Sequence, residues 1–431
     1  MRKYFIESLK ITNLWGYRDI DLTFNRDVNV LIGPNGSGKT TILNLLHTIL
    51  SGDLLSILKV SFEHVKIGLR SFKGNSVRTI RFDIGDEFLK LKVGPKEQRF
   101  PTNFFFHGKP IPSSLQYFHQ RDNVIRNMLS KDLDSELTAS VSLIWLPVNR
   151  RLPVRENEEE RYTRTQDLES VDLRLEELLE ELFHYHSRLN AQLSERYKAF
   201  EHQVLSIILY SKEFDRLDLT PSLPTEAEKV QLLRAFEASG LLNKQIHNRI
   251  NEHFAAAEKV VKRIRENPGV FGMEDILVLP LIDRTKTMVE YARKLEEDRE
   301  KIFAPLRRYE EIVNMFLSSH GETVNSFMNG TFVKVDENGN LKIDSPSSSD
   351  LNWHYLSSGE KQILILLTEA LLKVDEPVVY IADEPELSLH VTWQEKLLES
   401  LVTLGGQKQI IVAMHSPDIV GKFQDKVIEL V

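Results

Sequence analysis

Residues 33–40 of the chain read GPNGSGKT, and this spacing of glycines before a lysine and a hydroxyl residue is suited to holding phosphate. Glycines let successive backbone N–H groups close around phosphate oxygens at the positive end of a helix. Lys39 would reach the β- and γ-phosphates of ATP, and the Thr40 hydroxyl would ligate Mg²⁺. A plain glycine-rich turn is the alternative, but the motif lies between a predicted strand and a predicted helix. We expect the nucleotide to be bound by Asn35, Gly36, Ser37, Gly38, Lys39, Thr40 and Thr41.

Two carboxylates near the other end of the chain are of the kind that could catalyse hydrolysis of the γ-phosphate of ATP. Asp383 and Glu384 directly follow residues 378–382, which read VVYIA. An apolar strand that ends in two acids can place one near a metal ion and the other beside an attacking water. We expect Asp383 to hold Mg²⁺ and Glu384 to orient or deprotonate the water. A buried strand with solvated acids at its end is the alternative, and the presence of Lys39 favours the catalytic interpretation.

Residues 356–362, LSSGEKQ, resemble the ABC-type ATPase signature Leu-Ser-Gly-Gly-Gln. Ser358 replaces the first glycine of that signature, and Glu360 replaces its glutamine. In the ABC family the signature of one subunit closes over the ATP of the other, with a serine and backbone amides on the γ-phosphate. The resemblance therefore implies that Ser357 and Gly359 contact the nucleotide of a second copy. An ordinary serine helix cap is the alternative interpretation.

Further motifs narrow the resemblance to one branch of that family. His415, in IIVAMHS, matches the family's switch histidine, which implies a catalytic contact with the γ-phosphate. Residues 383–390 read DEPELSLH, with a histidine where transporter subunits carry an aspartate. Together with LSSGEKQ and the opening segment NLWGYRDIDLTF, this pattern resembles ATPases of the SMC, RecF and OLD class.

The motifs indicate less clearly which residues bind the adenine and the sugar. By resemblance, Asn13 and Arg18 in the opening strand and loop contact the base or the sugar. The Q-loop of such ATPases is not assigned, because Gln116, Gln120 and the segment before Asn149, Arg150 and Arg151 all match it loosely. Arg150 reaches a phosphate or a partner's acid, or is a solvated surface residue.

The elements that position these residues come from both ends of the chain. Apolar strands are predicted at 5–14, 20–24 and 28–33, followed by a helix over 40–50. Alternating segments then predict an antiparallel sheet, and a short strand is expected within 141–148. After residue 330, FVKVDENGNLKID predicts a hairpin around an Asn-Gly turn. Alternating strands and helices at the two ends favour a mostly parallel sheet covered by helices.

The middle of the chain changes to a helical period. Residues 166–320 show apolar positions on one helical face, with breaks at 221–224 and 267–272 that predict about three helical arms. We therefore expect an α/β protein: an ABC-type P-loop ATPase head with an antiparallel β subdomain and an inserted all-helical, coiled-coil-like module. The expected domains are 1–154 and 326–431 for the two parts of the head, and 155–325 for the insertion.

Composition limits the other classes of function. The chain has no cysteine, which excludes disulfides and thiolate zinc sites and suits a reducing cytoplasm. Its longest apolar run, Ile363 to Leu367, is too short to span a bilayer, so we expect a cytoplasmic protein without a membrane partner. The net charge is −8, and residues 151–330, with 26 basic and 33 acidic residues, carry −7 of it. DNA is a possible ligand that this charge does not favour.

The resemblance implies a role as well as a reaction. The chain resembles the ATPase subunit of two-component bacterial anti-phage systems, such as AriA of PARIS or, less closely, PtuA of Septu. Such a subunit would use ATP and Mg²⁺, pair head to head and form a higher oligomer, hold a TOPRIM or HNH nuclease effector, and respond to a phage trigger. Only sixteen residues follow His415, which leaves no room there for a nuclease domain of its own.

Two other roles are compatible with the ATPase motifs. A clamp of the RecF or SMC type would close a dimer on DNA, and the acidic charge counts mildly against it. A transporter's nucleotide-binding subunit is disfavoured by the segment at 383–390 and by the size of the insertion.

Overall fold

The computed structural model describes the chain over residues 3–57, 60–85, 88–101, 136–137, 140–146, 170–207, 209, 222, 225–267, 272–318, 331–344, 351–386, 389–414 and 417–430. The chain forms two compact units. The head unit comprises residues 1–182, 308–336 and 340–431, and the helical unit comprises 183–307 and 337–339. The expected domain boundaries at 154/155 and 325/326 lie outside the described residues.

The described strands and helices alternate at the two ends of the chain, while the middle is helical. The strands are β1 (Tyr4–Leu14), β2 (Arg18–Thr23), β3 (Val28–Ile32), β4 (His64–Ser71), β5 (Val77–Ile84), β6 (Phe88–Val93), β7 (Lys96–Pro101), β8 (Leu143–Leu146), β9 (Phe332–Val335), β10 (Leu341–Asp344), β11 (Val378–Asp383), β12 (Lys408–Ala413) and β13 (Val427–Glu429). The helices are α1 (Lys39–Ser51), α2 (Leu54–Ile57), α3 (Ser170–Ser206), α4 (Glu226–Ala238), α5 (Lys244–Glu266), α6 (Met273–Ser318), α7 (Ser358–Leu372) and α8 (Val391–Thr403), with 3₁₀ segments at Trp353–Tyr355 and Pro417–Lys426.

The central sheet of the head unit is parallel and joins the two ends of the chain. Its strand order is β13-β3-β12-β11-β8, so β3 lies between strands from the far end of the sequence. The side chains of β11 are buried from Val378 to Ala382, which is typical of a parallel strand covered on both faces. The expected mostly parallel sheet is confirmed.

A second sheet of the head unit is antiparallel, as the alternating segments predict. Its order is β2-β1-β4-β5-β6-β7. One face is apolar: Leu9 faces Ile67, Ile67 faces Ile80, and Ile80 faces Val93, all of them buried. Because side chains alternate along a strand, the charged residues between them point to the opposite face. The hairpin after residue 330 is also confirmed, with β9 and β10 paired around Gly339.

The helical unit contains more helices than the sequence breaks predict. Four helices enter it, because the predicted second arm is divided at Gly240 into α4 and α5. Gly240 adopts a positive φ of 72°, and the Asn243 side chain then caps α5 by accepting a hydrogen bond from the Ile246 N–H at 2.9 Å. The two predicted breaks, at 221–224 and 267–272, lie between described helices, but the further break at Gly240 was not predicted, because a single glycine and an asparagine cap are weak signals in a polar segment.

Aromatic side chains hold the helical unit together. Phe200 and Phe236 meet edge to face at 5.9 Å between ring centroids, and Phe254, Val289 and Leu295 pack in the same cluster. None of the helices in the described part of the chain combines the length and the apolar composition needed to cross a membrane.

Lys408, at the start of β12, is a half-buried cation whose charge we expect to lower the stability of the head unit. Its Nζ atom donates a hydrogen bond to the carbonyl oxygen of Leu401. Burial, and then the positive charge of Arg308, lower the pKa of Lys408 to about 8. We expect Lys408→Met to raise the free energy of unfolding at pH 7 by about 1–3 kcal/mol, because a charged ammonium is then no longer held in a half-buried position. Urea unfolding measures this change.

The pH dependence of this effect has a defined sign. Between pH 8 and 10.5 the unfolded Lys408 keeps its proton and the folded one has lost it, so the unfolded state binds more protons. The wild-type protein therefore gains stability relative to Lys408→Met as the pH rises through that window. Lys396→Met, at an exposed position, serves as the control. A variant that is less stable at pH 7, or a difference that does not shrink with pH, would contradict this account.

Candidate functional site

The loop at 33–38 holds Lys39 inside its own backbone. The loop joins the end of β3 to the start of α1, as the motif predicts. The Lys39 Nζ atom donates hydrogen bonds to the carbonyl oxygens of Gly33 at 2.7 Å and Pro34 at 3.3 Å, and the residue is 6% exposed. The ammonium is thereby fixed at the centre of the loop, where a phosphate oxygen would meet it.

A side chain at either of two glycine positions would disturb the shape of the loop. Gly38, directly before α1, has a φ of 91°, and a Cβ atom there would lie 2.9 Å from the ring of Trp15. A Cβ atom on Gly33 would lie 2.5 Å from the carbonyl oxygen of Leu430, at the end of β13. The first hairpin and the last strand of the chain therefore both pack directly against the loop.

Ser37 provides a test of whether the loop suits an anion. Its Oγ atom is buried and has no hydrogen-bond partner in the described part of the chain. The backbone carbonyl of the same residue accepts a hydrogen bond from Arg18 Nη1 at 2.8 Å. A buried hydroxyl without a partner is unfavourable by itself, so its place in the loop fits a bound phosphate oxygen.

The two carboxylates lie on the same edge of the parallel sheet as the loop. Asp383 is in register with Ala413 on β12, and Ala413 is in register with Leu31 on β3. Neighbouring strands are about 4.8 Å apart, so β11 runs about 10 Å from β3 at this edge. At this spacing, a phosphate held by the loop would face the acids.

Glu384 has an unusual backbone conformation that sets its position after β11. Its φ is 55°, a left-handed value that non-glycine residues seldom adopt. Its N–H donates to the carbonyl oxygen of Ala413 at 2.9 Å, which holds the turn against β12. Such strain occurs where a side chain must be aimed, and here it aims the carboxylate that we expect to orient water.

The few oxygen ligands near the loop suit Mg²⁺ better than they suit a metal ion that is coordinated by protein side chains alone. Within the described residues no group of three or more His, Asp or Glu side chains could hold a metal ion. Mg²⁺ usually takes one or two protein ligands and completes its shell with phosphate oxygens and water. Thr40, exposed at the start of α1, and Asp383 are the residues that would hold it, and the ion would neutralise charge on the transferring phosphate.

The segment after Glu384 is anchored by a residue that no motif marks. Gln394 on α8 donates from Nε2 to the carbonyl oxygens of Glu386 and Leu389, both at 3.0 Å. Glu386 itself is 3% exposed. This contact fixes the turn that follows the candidate catalytic carboxylate.

The signature segment forms the start of α7 and is capped by its own residues. Ser357 Oγ donates to Glu360 Oε2 at 2.7 Å, and the Ser357 N–H donates to the same oxygen at 2.7 Å. Glu360 is buried, as are all residues that follow it to Leu371, whereas Ser357 and Ser358 are exposed. Only the first turn of this helix is available to a partner.

Two ion pairs connect α7 to the first turns of α3. Lys361 Nζ lies 2.7 Å from Asp172 Oδ1, and Arg174 Nη2 lies 2.6 Å from Glu369 Oε1. Burial alone would lower the pKa of Arg174, but the charges of Glu369 and Glu177 outweigh it and raise that pKa. The signature helix is thus tied to the helix that continues into the helical unit.

The remaining predicted site residues have different surroundings. The Asn13 side chain donates to Glu63 Oε1 at 2.7 Å, and Arg18 donates to the loop backbone. The expected contacts of these two residues with the base or the sugar stay predictions. Asn35 and Gly36 are exposed at the loop tip, Gly359 is half-buried behind Ser358, and Thr41 is half-buried in α1. Four further predicted positions lie outside the described residues: Gln116, Gln120, Arg150 and His415.

Sequence reasoning missed the residues that support the site from a distance. Trp15 packs on Gly38, and Asp172 and Arg174 bind α7. Trp15 lies between Asn13 and Arg18, so a large apolar residue beside predicted ligands was an available signal. Asp172 and Arg174 on α3 offer no such signal, because charged residues at these positions look the same in sequence as those of any solvated helical face.

A parallel sheet with a phosphate loop after one strand and paired acids after another defines a P-loop nucleotide-hydrolase site. The model of the AAA ATPase domain family matches residues 5–420, almost the whole chain. The chain therefore belongs to this family of ATPase domains.

The curated relatives match over shorter segments. A DNA double-strand break repair Rad50 ATPase of Methanopyrus kandleri is 34% identical over 112 residues, which cover 21% of this chain and 13% of the relative. A DNA replication and repair protein RecF of Bacillus cytotoxicus is 27% identical over 138 residues, covering 30% of this chain and 37% of the relative. The chain thus spans well under half the length of these relatives.

Two solved structures are similar to the whole chain. One is the Smc head domain with an extended coiled coil from Pyrococcus furiosus, with a TM-score of 0.41, 12% identity and coverage of 100% of this chain and 93% of that one. The other is the recombination mediator protein RecF-ATPrS in the RecFOR pathway, with a TM-score of 0.36, 13% identity and coverage of 99% of this chain and 98% of that one.

Proposed function

We propose that the chain is a cytoplasmic, Mg²⁺-dependent ATP switch that works as a pair of copies and controls a separately encoded nuclease effector in anti-phage defence. The observation that supports pairing is the exposed first turn of α7, at the end of an otherwise buried helix. A helix N-terminus carries partial positive charge and free N–H groups, so it suits the γ-phosphate of ATP bound by a second copy.

The chemistry of the switch follows from residues of this chain. The loop amides and Lys39 would bind the β- and γ-phosphates, and Glu384 would orient the attacking water. Ser357 would have to exchange its hydrogen bond with Glu360 for one with the partner's phosphate. ATP binding would therefore change the start of α7, and the ion pairs of Lys361 and Glu369 would pass that change to α3.

Replacement of Lys39 tests the nucleotide site directly. We expect Lys39→Ala to weaken ATP binding by roughly 10- to 100-fold, because a charge-assisted hydrogen bond to phosphate is lost. Isothermal titration calorimetry with ATP measures the change. Lys422→Ala, at an exposed position of the head unit, should bind ATP normally. Normal ATP binding by Lys39→Ala would refute the assignment of the loop.

The role in defence rests on the motifs at 356–362 and 383–390 and on their resemblance to anti-phage ATPase subunits. It predicts a complex of several copies that holds a TOPRIM or HNH nuclease and releases or activates it when a phage trigger is sensed. Affinity purification from the native host should recover the nuclease with the wild-type chain. Recovery of DNA alone would instead favour the second candidate.

The second candidate is a clamp of the RecF or SMC type that closes on DNA when ATP is bound. It is favoured by the curated relatives, which are DNA repair proteins by name. Duplex binding that is stimulated by ATP and needs no other protein would distinguish this function from control of an effector.

A further inference from the structure

The helical unit contains a cavity of about 300 Å³ that the proposed switch does not use. One of its walls is a single face of α5, because the lining residues follow the spacing of successive helical turns: Ile246, Arg249, Ile250, His253 and Phe254. From the first of these residues to the last, the wall is about 12 Å long, at a rise of about 1.5 Å per residue. This volume and this length suit a small organic molecule.

A second wall is one face of α6, and two contacts set its register against α5. His253 Nε2 and Thr285 Oγ1 lie 2.7 Å apart, and Arg263 Nη1 lies 3.3 Å from Asp275 Oδ1. The step forward along α5 from the first contact to the second equals the step backward along α6. The two helices therefore run antiparallel beside the cavity, and a residue on one can be placed level with a residue on the other.

Most of the cavity lining is apolar. Phe236 from α4 and Met288 from α6 face it together with the isoleucines and the phenylalanine of α5. Leu281, which also lines the cavity, is 45% exposed, and Leu277, one turn earlier on the same helix, is 66% exposed. Apolar surface that stays accessible at a concave site is typical of a ligand-binding site. The interior therefore suits an apolar chain.

The polar part of the lining is positively charged. Two arginines line the cavity, and none of its described lining residues is Asp or Glu. Residues 151–330 contain 33 acidic and 26 basic residues, so this lining runs against the charge of the segment around it. Arg249 makes no ion pair with any residue that the structure describes. Glu228, which lines an adjoining smaller cavity, accepts hydrogen bonds from the N–H and the Oγ1 of Thr225 instead.

The two arginines are close enough to meet a single anionic group. Arg249 lies one turn before His253 on α5, and Arg284 lies directly before Thr285 on α6. In the antiparallel register these positions are about five residues apart along the helix axes, which is about 7 Å. Two side chains of this length can reach one carboxylate, and a guanidinium can donate two hydrogen bonds to it. Burial lowers the pKa of His253, so the arginines and not the imidazole supply the positive charge at pH 7.

From this cavity we infer that the helical unit binds a small amphipathic carboxylate, with its apolar chain between α5 and α6 and its carboxylate at Arg249 and Arg284. An extended chain of roughly ten carbons matches a length of about 12 Å, because each carbon–carbon bond of about 1.5 Å advances the chain by slightly less. A free fatty acid of this length is the simplest such ligand. The inference goes beyond the ATP switch, since every residue involved lies in the helical unit.

The test compares two ligands that share a chain and differ in charge. Isothermal titration calorimetry of the full chain uses decanoate, below the concentration at which it forms micelles, and decanol. The wild type should bind decanoate at least about tenfold more tightly, because only the carboxylate forms charge-assisted hydrogen bonds with the arginines. In Arg249→Gln with Arg284→Gln, decanoate should bind at least about tenfold more weakly and decanol about as before. Circular dichroism and thermal unfolding without ligand report that the variant is folded.

Three further variants locate the site. Arg234→Gln with Arg265→Gln removes the same charge from exposed positions of α4 and α5 and should keep the wild-type affinity for decanoate. Ile250→Trp should weaken the binding of both ligands, because the larger side chain fills the cavity. Lys39→Ala should bind decanoate as the wild type does, which separates this site from the phosphate loop.

Four outcomes would overturn the inference. They are equal affinity of the wild type for decanoate and decanol, an equal loss of decanoate binding in the arginine double variant and its control, and loss of decanoate binding in Lys39→Ala. The fourth is binding to phosphatidylglycerol vesicles without binding of free decanoate, which would mean that the surface recognises a bilayer and not a single molecule.

Discussion

Glu384→Gln should bind ATP normally and hydrolyse it at least about a hundredfold more slowly than the wild type. Glutamine keeps the size of the side chain but neither accepts a proton from water nor carries the charge that orients it. The strained backbone at φ 55° and the bond to Ala413 do not involve the side chain, so the substitution leaves the turn intact. Release of phosphate under saturating ATP measures the rate, and titration calorimetry measures binding.

The control for this substitution is Glu395→Gln, an exposed glutamate on α8 that should leave the rate unchanged. Asp383→Asn separates the two carboxylates, since loss of the metal ligand should raise the Mg²⁺ concentration needed for half-maximal activity. Hydrolysis by Glu384→Gln at the wild-type rate would show that another group orients the water.

Arg174→Leu should lower the free energy of unfolding by about 3 kcal/mol or more. Glu369 is 5% exposed, and its partner Arg174 approaches it with two nitrogens, Nε at 3.0 Å and Nη2 at 2.6 Å. Removal of the guanidinium leaves a buried carboxylate without its opposite charge, which costs much more than the pair contributes when intact. Urea unfolding, followed by tryptophan fluorescence, measures the loss.

Two companion variants distinguish the buried pair from general damage to α3. Glu177→Gln removes the more exposed carboxylate bound to the same arginine and should cost less than about 1 kcal/mol. The double variant Arg174→Leu with Glu369→Leu removes both charges and should recover much of the lost stability. A double variant no more stable than Arg174→Leu would mean that packing, and not the unpaired charge, is responsible.

Much of the head unit could be predicted because its strands carry strong local patterns. The apolar run VVYIA before Asp383 indicates a strand buried on both faces, and the alternating segments of β4 to β6 indicate which side chains face the core. The pairing of β3 with β12 and β13, by contrast, joins residues almost 400 positions apart, for example Val30 with Val427. Only the motifs on these strands, which need one another for chemistry, indicated that the two ends fold together.

The supporting contacts of the site could not be predicted for the same reason. Lys361 and Asp172 are charged residues on helices, and nothing in their local sequence separates a buried pair from two solvated side chains. The residues around Gly240 favour one continuous helix, but their helix propensities are weak. The positive φ that Gly240 adopts outweighs them and divides the helix.

The central claim is that each ATP is hydrolysed between two copies, with the loop of one and the signature of the other. The most direct test mixes Lys39→Ala, which keeps its signature, with Ser357→Arg, which keeps its loop and carboxylates. Neither variant alone should hydrolyse ATP, and the mixture should regain activity because a mixed pair contains one complete site. A mixture of Lys39→Ala with Glu384→Gln should stay inactive. No recovery in the first mixture, or full activity of Ser357→Arg alone, would contradict the claim.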